Sequence, residues 1–499
     1  MIINKWILEN FKAVKERVDI PLAPLTVFTG PNSSGKSTIV KSMLLVAQTF
    51  RSKDNSCPLL LNGPLVSLGS YESVVHSGNA ASTIHLGYEF NDFDLKTIDQ
   101  NKMVYSADKV RAGYGFDVVK TSESGHNGMR IHSAELHMVR LNEMEFHADG
   151  EGEFDIEEEP APVKDTLIMK GVDHEGVFSR GRYPVSETVL QVSARAEFLM
   201  HGVKPNNLDF EELPQGAETK SLIRPLDLAF NAMRKQFTDR LLYLGPLREE
   251  PKPIYPLSSA YTVSDIGNKG EKTIELFTQH KDDPVEVVLP DFFELRVYET
   301  VETVRKPLAE ALGDWLHYLG VAYGIETSEV DYWGTVYIAT DRDGKKKRSL
   351  NHVGIGISQV LPILVMGLLS EQGTTMIFEQ PELHLHPKVQ SRLADFFLSM
   401  MMLKKQCIIE SHSEHIINRL RLRMVQGLEA EGKENFWSAN TKNYFTEKNR
   451  GVASYEEVSV DNFSCGSEWP DGFFDESYLS AEKITRAAIK KRRSRPDAN

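Results

Sequence analysis

Residues 30–38 read Gly-Pro-Asn-Ser-Ser-Gly-Lys-Ser-Thr, a glycine-rich stretch that ends in Gly-Lys-Ser. A short apolar run at residues 25–29 precedes it, and apolar residues spaced as on one face of a helix follow it. A loop between a buried strand and a helix can wrap its backbone N–H groups around phosphate groups. The stretch therefore predicts a P-loop that binds ATP. The predicted ATP-binding residues are Gly30, Pro31, Asn32, Ser33, Ser34, Gly35, Lys36, Ser37 and Thr38.

Within this loop, Lys36 and Ser37 have the side chains that carry chemistry. The lysine ammonium is expected to reach the β- and γ-phosphates, and the serine hydroxyl is expected to bind Mg²⁺. We therefore predict ATP and Mg²⁺ as the ligands of the site.

The composition of the chain indicates what class of protein contains this loop. The chain has 499 residues, a formal net charge of −14 and three widely separated cysteines. The cysteines form neither a disulfide framework nor a metal cluster in sequence, and the acidic balance disfavours binding of nucleic acid through global charge. There is no apolar run of membrane-spanning length and no signal-peptide pattern at the start. We expect a cytoplasmic protein that does not cross a membrane.

Two further apolar strands occur far along the chain, and each ends on polar residues. Residues 374–378 lead into Glu379-Gln380-Pro381-Glu382, where a carboxylate at the end of a strand beside the P-loop strand would hold Mg²⁺. Residues 407–409 lead into Glu410-Ser411-His412-Ser413, where the histidine is placed to hydrogen-bond the γ-phosphate. Taken singly, these carboxylates are equally well explained as surface groups and the histidine as a structural one.

A glycine-containing segment, Gly354-Ile355-Gly356-Ile357-Ser358-Gln359, precedes the apolar run at residues 360–369. Ser358 is expected to cap that helix and leave free backbone donors that could face an anion. A plain loop is the alternative for the two glycines. The order of the three segments within about sixty residues, however, is the order that an ABC-type ATPase requires.

The sequence resembles the RecF/SMC/OLD-like ATPases, which have an ABC-type head. The resemblance rests on Leu8-Glu9-Asn10-Phe11-Lys12, on the Pro-Glu-Leu-His-Leu-His-Pro run within residues 379–387, and on residues 411–415. Residues 243–248 (Tyr-Leu-Gly-Pro-Leu-Arg) and 469–474 (Trp-Pro-Asp-Gly-Phe-Phe) resemble a bacterial subfamily with a C-terminal domain of unknown function. ATPases of this kind accompany separate effector proteins in antiphage systems of the PARIS and Septu types.

The fold that the resemblance implies is α/β, an ABC-type P-loop ATPase head split by a long β-rich and helical insert. The expected division is residues 1–85 for the first half of the head, 86–330 for the insert, 331–430 for the second half, and 431–499 for a small C-terminal domain. Strands are expected at residues 83–90 and 134–139 by alternation, an acidic loop at 149–159, and a helical arm at 217–240. A compact lid is expected rather than a long coiled coil.

The resemblance also implies a composite site, in which two heads sandwich ATP in a head-to-head dimer or a higher homo-oligomer. The P-loop of one head would face the signature segment of the other, with Gly354, Gly356, Ser358 and Gln359. Metal ligands would be Ser37 and Glu379, and the catalytic residues Gln380, Glu382 and His412.

The residue pair 379–380 departs from the pattern of the resembling ATPases. Glu379-Gln380 stands where most ABC-type heads have Asp-Glu, and Glu379 can still bind a hard cation through oxygen. Glutamine cannot accept a proton as a carboxylate does, although it can orient water. Either Glu382 serves as the base, or hydrolysis is slow and the protein works as an ATP-held switch; we favour slow turnover.

Two basic segments and the C-terminal end bear on partners. Residues 342–348 (Arg-Asp-Gly-Lys-Lys-Lys-Arg) form an expected hairpin tip, interpreted as a solvated hairpin in preference to a nucleic-acid contact. The basic tail at 490–495 is expected to fray. About eighty residues after Leu420 leave no room for a nuclease domain, so we expect none in this chain.

These features leave three candidate functions. The leading hypothesis is an ATP-driven sensor or scaffold that controls a separate effector, a nuclease or toxin, in antiphage defence. The alternative is a RecF-like DNA-maintenance ATPase that clamps DNA on ATP binding, for which the basic tip is the supporting feature. A transporter ATPase is disfavoured because neither the insert nor the Glu379-Gln380 pair suits it.

Overall fold

The protein is described by a computed structural model. It covers residues 2–52, 59–76, 78, 82–94, 103–120, 127–145, 189–192, 231–257, 265–294, 303–330, 333–427, 436–458 and 483–487. The expected acidic loop at 149–159, most of the expected helical arm, the aromatic block at 469–474 and the basic tail lie outside these residues.

The described chain contains both strands and helices. The strands are β1 (Ile2–Glu9), β2 (Val18–Pro21), β3 (Leu25–Thr29), β4 (Ile84–Asp94), β5 (Met103–Lys120), β6 (Asn127–Glu145), β7 (Val189–Val192), β8 (Leu241–Leu244), β9 (Tyr255–Pro256), β10 (Pro284–Val288), β11 (Thr303–Pro307), β12 (Gly324–Val330), β13 (Trp333–Ala339), β14 (Lys347–Ser349), β15 (Thr375–Glu379), β16 (Gln406–Glu410), β17 (Thr441–Asn449) and β18 (Val452–Glu457). The helices are α1 (Lys36–Arg51), α2 (Tyr71–Val74), α3 (231–238), α4 (Thr273–His280), α5 (Leu308–Leu319), α6 (Ile355–Leu369), α7 (Pro387–Met402), α8 (Glu414–Gln426), α9 (Phe436–Ala439) and α10 (483–487).

The P-loop strand β3 lies inside a six-stranded sheet of order β18-β17-β3-β16-β15-β8. Strands β17, β3, β16, β15 and β8 are parallel to their neighbours, and β18 joins β17 antiparallel. The strand expected at residues 25–29 is confirmed, and those expected around 374–378 and 407–409 are β15 and β16. Because the carboxyl ends of parallel strands meet at one edge, the residues that follow these strands lie close together.

The central strands β3, β15 and β16 are buried at every residue, and because neighbouring side chains on a strand point to opposite faces, the sheet is covered on both faces there. Phe28, Ile377 and Ile408 pack into a core with α1 and the antiparallel sheet. Val27 and Phe378 pack on the other side into a core with α6 and α7. The two cores hold the P-loop edge in place from both sides.

A second six-stranded sheet is antiparallel, in the order β2-β1-β4-β5-β6-β7. Its strands β4 and β6 confirm the strands expected at 83–90 and 134–139. Trp6 of β1 donates from its indole nitrogen to Ser42 Oγ of α1 at 2.8 Å. This sheet therefore packs directly on the helix that follows the P-loop.

The chain returns to the P-loop sheet through α3 and β8 and then builds a mixed lobe around α5 and α6. In that lobe β13 and β14 are antiparallel, which confirms the expected basic hairpin. Gly344 in its turn has φ of 67°, a conformation that glycine adopts without strain. Helix α3 confirms the last part of the expected helical arm.

The helix after the glycine-containing segment begins earlier than the sequence predicted. Gly354 is its N-cap, in extended conformation, and Ile355 is its first residue. Ser358 is therefore not the cap: it lies in the first turn, and its Oγ donates to the carbonyl oxygen of Ile355 at 2.7 Å. Glycine with an extended backbone is an acceptable N-cap residue, so Ser358 is not needed as the cap and its side chain is buried.

Strands β8 and β17 lie in the same sheet as the P-loop strand, although the expected division put them in the insert and in the C-terminal domain. The four-part division itself stays a prediction.

Candidate nucleotide-binding site

The P-loop leaves β3 through a backbone that only glycine adopts readily at two positions. Gly30 has φ of 138° and Gly35 has φ of 114°. A Cβ at Gly30 would lie 2.2 Å from the carbonyl oxygen of Thr446, and one at Gly35 would lie 2.6 Å from Cβ of Ala453. The β17–β18 hairpin therefore lies directly against the loop, and Tyr455 of β18 donates from its hydroxyl to the carbonyl oxygen of Gly35 at 2.9 Å.

Lys36 is folded into the loop. Its Nζ donates to the carbonyl oxygens of Pro31 at 2.6 Å and Gly30 at 3.0 Å. Burial lowers the pKa of this ammonium, while the nearby carboxylates of Glu410 and Glu382 act in the opposite direction. A cation enclosed by loop backbone is arranged to meet a phosphate group.

Two carboxylates stand side by side at the ends of neighbouring strands. Glu379 ends β15 and Glu410 ends β16, and the strand register pairs them directly. The strand beside β3 is β16, so the carboxylate adjacent to the P-loop strand is Glu410 and not, as expected, Glu379. Strand order in a parallel sheet is set by the crossovers, which do not follow chain order.

Glu410 is also the hydrogen-bond partner of the P-loop serine. The Ser37 Oγ donates to Glu410 Oε1 at 2.8 Å, while Glu379 Oε1 accepts from the Tyr243 hydroxyl at 3.2 Å. Glu410 is the functional candidate that sequence reasoning missed. Its signal was present, because it is the last residue of an apolar strand and directly precedes the Ser411-His412 pair.

The carboxyl groups of this edge are held in an environment that disfavours their charge. Burial, and then the charge of Glu410, raise the pKa of Glu379 to about 7. Burial likewise raises the pKa of Glu410 and of Glu382. Desolvation and a like charge both favour the protonated form of a carboxyl group, and a bound cation would reverse that effect.

Glu382 is tied to the segment that contains the predicted γ-phosphate sensor. Its Oε1 accepts a hydrogen bond from the backbone N–H of His412 at 2.5 Å, and its Oε2 is buried with no partner among the described residues. The imidazole of His412 lies near the P-loop: the backbone of Gly30 hydrogen-bonds it, and burial together with the Lys36 charge lowers its pKa. The predicted residues Lys36, Glu379, Glu382 and His412 are therefore brought to one edge of the sheet.

The residues of this edge fit a hard divalent cation. Mg²⁺ in nucleotide sites takes oxygen from one or two carboxylates, with phosphates and water completing its shell. Here Ser37 Oγ and the carboxylates of Glu410 and Glu379 supply oxygen donors, and Glu410 Oε2 is buried without a hydrogen-bond partner in the described part of the chain. No cluster of three His, Cys, Asp or Glu able to hold a metal by itself occurs in the described residues. The site thus fits a cation that arrives with its nucleotide.

The predicted signature residues lie apart from this cluster. Ser358 and Gln359 are buried in the first turns of α6, whereas Gly354 is exposed and Gly356 half-buried at its start. Gly356 lies against the backbone of His384 rather than against the P-loop. Among the described residues, no hydrogen bond connects positions 354–359 to the P-loop.

Comparison with protein families identifies the domain. The family described as "AAA ATPase domain" matches residues 1–174 and 264–417, which is more than half of the chain. The chain belongs to the AAA ATPase domain family. An ATPase domain of α/β fold with a P-loop is thus established, and the matched segments include the P-loop, the Glu379 turn and His412.

Several solved structures resemble the fold of this AAA ATPase domain protein at low identity. The SMC head domain from Thermotoga maritima is 9% identical with a TM-score of 0.38, covering 92% of this chain and 100% of its own. An SMC head bound to the C-terminal winged-helix domain of ScpA is 11% identical with a TM-score of 0.43, covering 92% and 98%. No curated protein sequence matches the chain. Within the described residues, no helix of the AAA ATPase is long and apolar enough to cross a membrane.

Proposed function

We propose that this AAA ATPase binds ATP with Mg²⁺, hydrolyses it slowly, and uses the ATP-bound state to control a separate effector protein, a nuclease or toxin, in bacterial antiphage defence. The P-loop residues 30–38 bind the nucleotide. Ser37, Glu410 and Glu379 would hold Mg²⁺, which when bound would neutralise charge on the transferred phosphoryl group.

The proposal of slow turnover rests on the chemistry and hydrogen bonding of two side chains that follow the metal ligand Glu379. Gln380 has no carboxylate, and Glu382, the remaining candidate base, already accepts a hydrogen bond from His412 N–H. That hydrogen bond stabilises the charged form of Glu382 and so acts against burial, which raises the pKa of this carboxyl group. The same hydrogen bond couples Glu382 to the His412 segment, which faces the γ-phosphate.

The paired-head arrangement is part of the proposal. The first turn of α6 begins at an exposed glycine segment, and Ile355 at its start is 48% exposed. The free N-terminal end of a helix favours an anion. In a head-to-head dimer or a larger homo-oligomer, this end of one chain would meet the nucleotide on the P-loop of another.

Single-turnover hydrolysis tests the slow switch. Wild-type protein in excess over radiolabelled ATP is expected to hydrolyse at well below the ~1 s⁻¹ lower end of ordinary enzyme turnover. Glu382→Gln is expected to lower the rate a further ~10-fold while ATP binding persists, because base catalysis contributes roughly 10²–10⁴ in efficient cases. The exposed Glu371→Gln serves as control. Wild-type turnover above ~10 s⁻¹, a typical enzyme rate, would reject the switch.

The effector is tested by co-expression with neighbouring genes. A product that co-purifies with the wild-type ATPase and is released on a trigger supports the proposal. A protein that is strictly monomeric with ATP and retains no partner contradicts it.

A second candidate function is DNA maintenance, and the hairpin between β13 and β14 favours it. Lys345 is highly exposed and has only a 3.9 Å contact to Asp343, whereas Lys347 is paired with Glu326 at 2.6 Å. Filter binding of DNA over a salt series distinguishes the two functions. Phosphate contacts would make affinity fall steeply with salt and would weaken on Lys345→Ala.

A further inference from the structure

The motif Tyr-Leu-Gly-Pro-Leu-Arg at residues 243–248 lies at the end of β8, where the chain returns to the ATPase sheet. Strand β8 pairs with β15, and its last residues, Tyr243 and Leu244, lie beside Ile377 and Phe378. Two side chains of the motif, Tyr243 and Arg248, reach across to the turn that follows β15. We call these two residues the strand-end clamp.

Arg248 holds the backbone of that turn. Its Nη1 donates to the carbonyl oxygen of Gln380 at 2.9 Å, and its Nη2 donates to that of Glu379 at 3.3 Å. Nη1 also reaches the carbonyl oxygen of Pro246 at 3.3 Å. The planar guanidinium can bridge two consecutive carbonyl groups, which a lysine ammonium on a flexible stem cannot do with the same geometry.

The turn that Arg248 holds has an unusual backbone. Gln380 has φ of 45°, in the left-handed region that non-glycine residues rarely adopt. Its N–H donates to the carbonyl oxygen of Glu410 at 2.7 Å, so it is fixed from both sides. Such conformations persist only where surrounding contacts enforce them, and they occur preferentially at functional sites.

The other clamp residue acts on a side chain. Tyr243 donates from its hydroxyl to Glu379 Oε1 at 3.2 Å and thereby fixes the orientation of this carboxyl group. Arg248 is 7% exposed, and although burial lowers the pKa of its guanidinium to about 10, it stays charged at neutral pH. Its charge acts on Glu382, Tyr243 and Glu379, the groups that surround the turn.

We propose that Tyr243 and Arg248 are positioning residues for ATP hydrolysis: the clamp holds the Glu379–Glu382 turn so that its side chains face the nucleotide. Because Tyr243 lies in β8 and Arg248 follows it closely, the clamp ties the position of this turn to that of β8. This inference rests on the proposed roles of Glu379 and Glu382. It goes further by proposing that residues at the end of β8, an edge strand of the sheet, affect the rate of ATP hydrolysis and not the affinity for ATP.

The test separates binding from hydrolysis in the purified full chain. For Arg248→Lys we expect single-turnover hydrolysis to fall by about 10–100-fold, the usual effect of removing an outer-shell partner. For Tyr243→Phe, which removes one hydrogen bond to a carboxyl group, we expect a fall of about 3–10-fold. The Kd for Mg²⁺–ATP is expected to stay within about threefold of wild type in both variants, because the P-loop is untouched.

Arg240→Lys is the matched control. Arg240 lies at the opposite end of β8 and also donates to a backbone carbonyl oxygen, that of Gln372 at 3.2 Å, so its loss should leave hydrolysis unchanged. Lys36→Ala tests the nucleotide site itself and is expected to abolish ATP binding and function. If Lys36→Ala still binds ATP, the assigned nucleotide site is wrong, and this outcome can be told apart from the results for the two clamp variants.

Two results would overturn the clamp. One is hydrolysis within about twofold of wild type in both folded clamp variants. The other is a loss of ATP affinity that matches the loss of hydrolysis, which would indicate a general disturbance of the site. If Arg248→Lys does not fold, as judged by thermal unfolding, Tyr243→Phe alone decides the question.

Discussion

A polar side chain is buried at each end of strand β16, and the two side chains differ in how many of their polar atoms have hydrogen-bond partners. At the amino end, Gln406 donates to the carbonyl oxygens of Ile3 and Ala23 and accepts from the N–H of Ile3 and the hydroxyl of Thr375. Every hydrogen-bonding position of this amide is used.

At the carboxyl end, Glu410 accepts one hydrogen bond from Ser37 and leaves Oε2 buried without a partner in the described chain. Glu382 also has one buried oxygen without a partner among the described residues, and Gln380, whose N–H donates to the carbonyl oxygen of Glu410, has a left-handed backbone. A satisfied buried amide stabilises a fold, whereas unsatisfied buried carboxylates cost stability and are kept where a ligand completes them. We therefore call the amino end of β16 the stabilising end and its carboxyl end, where ligands would complete the unpartnered carboxylates, the functional end.

The largest expected effect is at the stabilising end. Gln406→Leu would remove four buried hydrogen bonds with Ile3, Ala23 and Thr375, so we expect the free energy of unfolding to fall by about 3–6 kcal/mol. Urea unfolding measures it. The exposed Gln372→Leu is the control, and a change below about 1 kcal/mol would show that the two ends are alike.

At the functional end we expect a substitution to leave stability intact and to lower hydrolysis. Glu410→Gln removes a buried charge beside Glu379, so the free protein should be no less stable than wild type, while Mg²⁺-dependent hydrolysis should fall by about 100-fold. Thermal unfolding without nucleotide and single-turnover hydrolysis measure the two quantities. A variant that hydrolyses ATP at the wild-type rate would remove Glu410 from the site.

The smallest effect concerns Lys405, a charge at the stabilising end. Its Nζ donates to the carbonyl oxygen of Gly367 at 2.8 Å, and burial lowers its pKa to about 8. Between pH 8 and 9.5 the unfolded chain binds more protons at this lysine than the folded chain does. The contribution of Lys405 to stability should therefore rise by about 1–2 kcal/mol across this window.

Urea unfolding of wild type and Lys405→Met at both pH values measures this contribution as the difference between the two proteins, since other titrating groups are common to both. A difference that does not change with pH would mean that this lysine keeps its ordinary pKa in the folded state.

Local pattern was sufficient to find most of the pieces. The strand at residues 25–29, the helix after the P-loop, the two later apolar strands and the basic hairpin all follow from periodicity and turn residues that act over a few positions. The start of α6 was misplaced because an extended glycine can begin a helix as well as a serine can.

Long-range order was not accessible in the same way. The role of Glu410 could not be predicted, because nothing in the sequence says that β16, and not β15, lies beside the P-loop strand. The clamp residues Tyr243 and Arg248 were part of a recognised motif, yet their contacts with the Glu379 turn depend on β8 pairing with β15 across more than a hundred residues.

The sequence by itself determined that this chain binds a nucleotide, because the glycines, lysine and serine of a P-loop act within nine neighbouring residues. Only the tertiary structure decided which carboxylate meets Ser37, which strand supports the Glu379 turn, and that the signature segment lies apart from the P-loop of its own chain. The physical reason is that conformation within a loop is set by its own residues, whereas the meeting of side chains at a sheet edge is set by strand order and core packing.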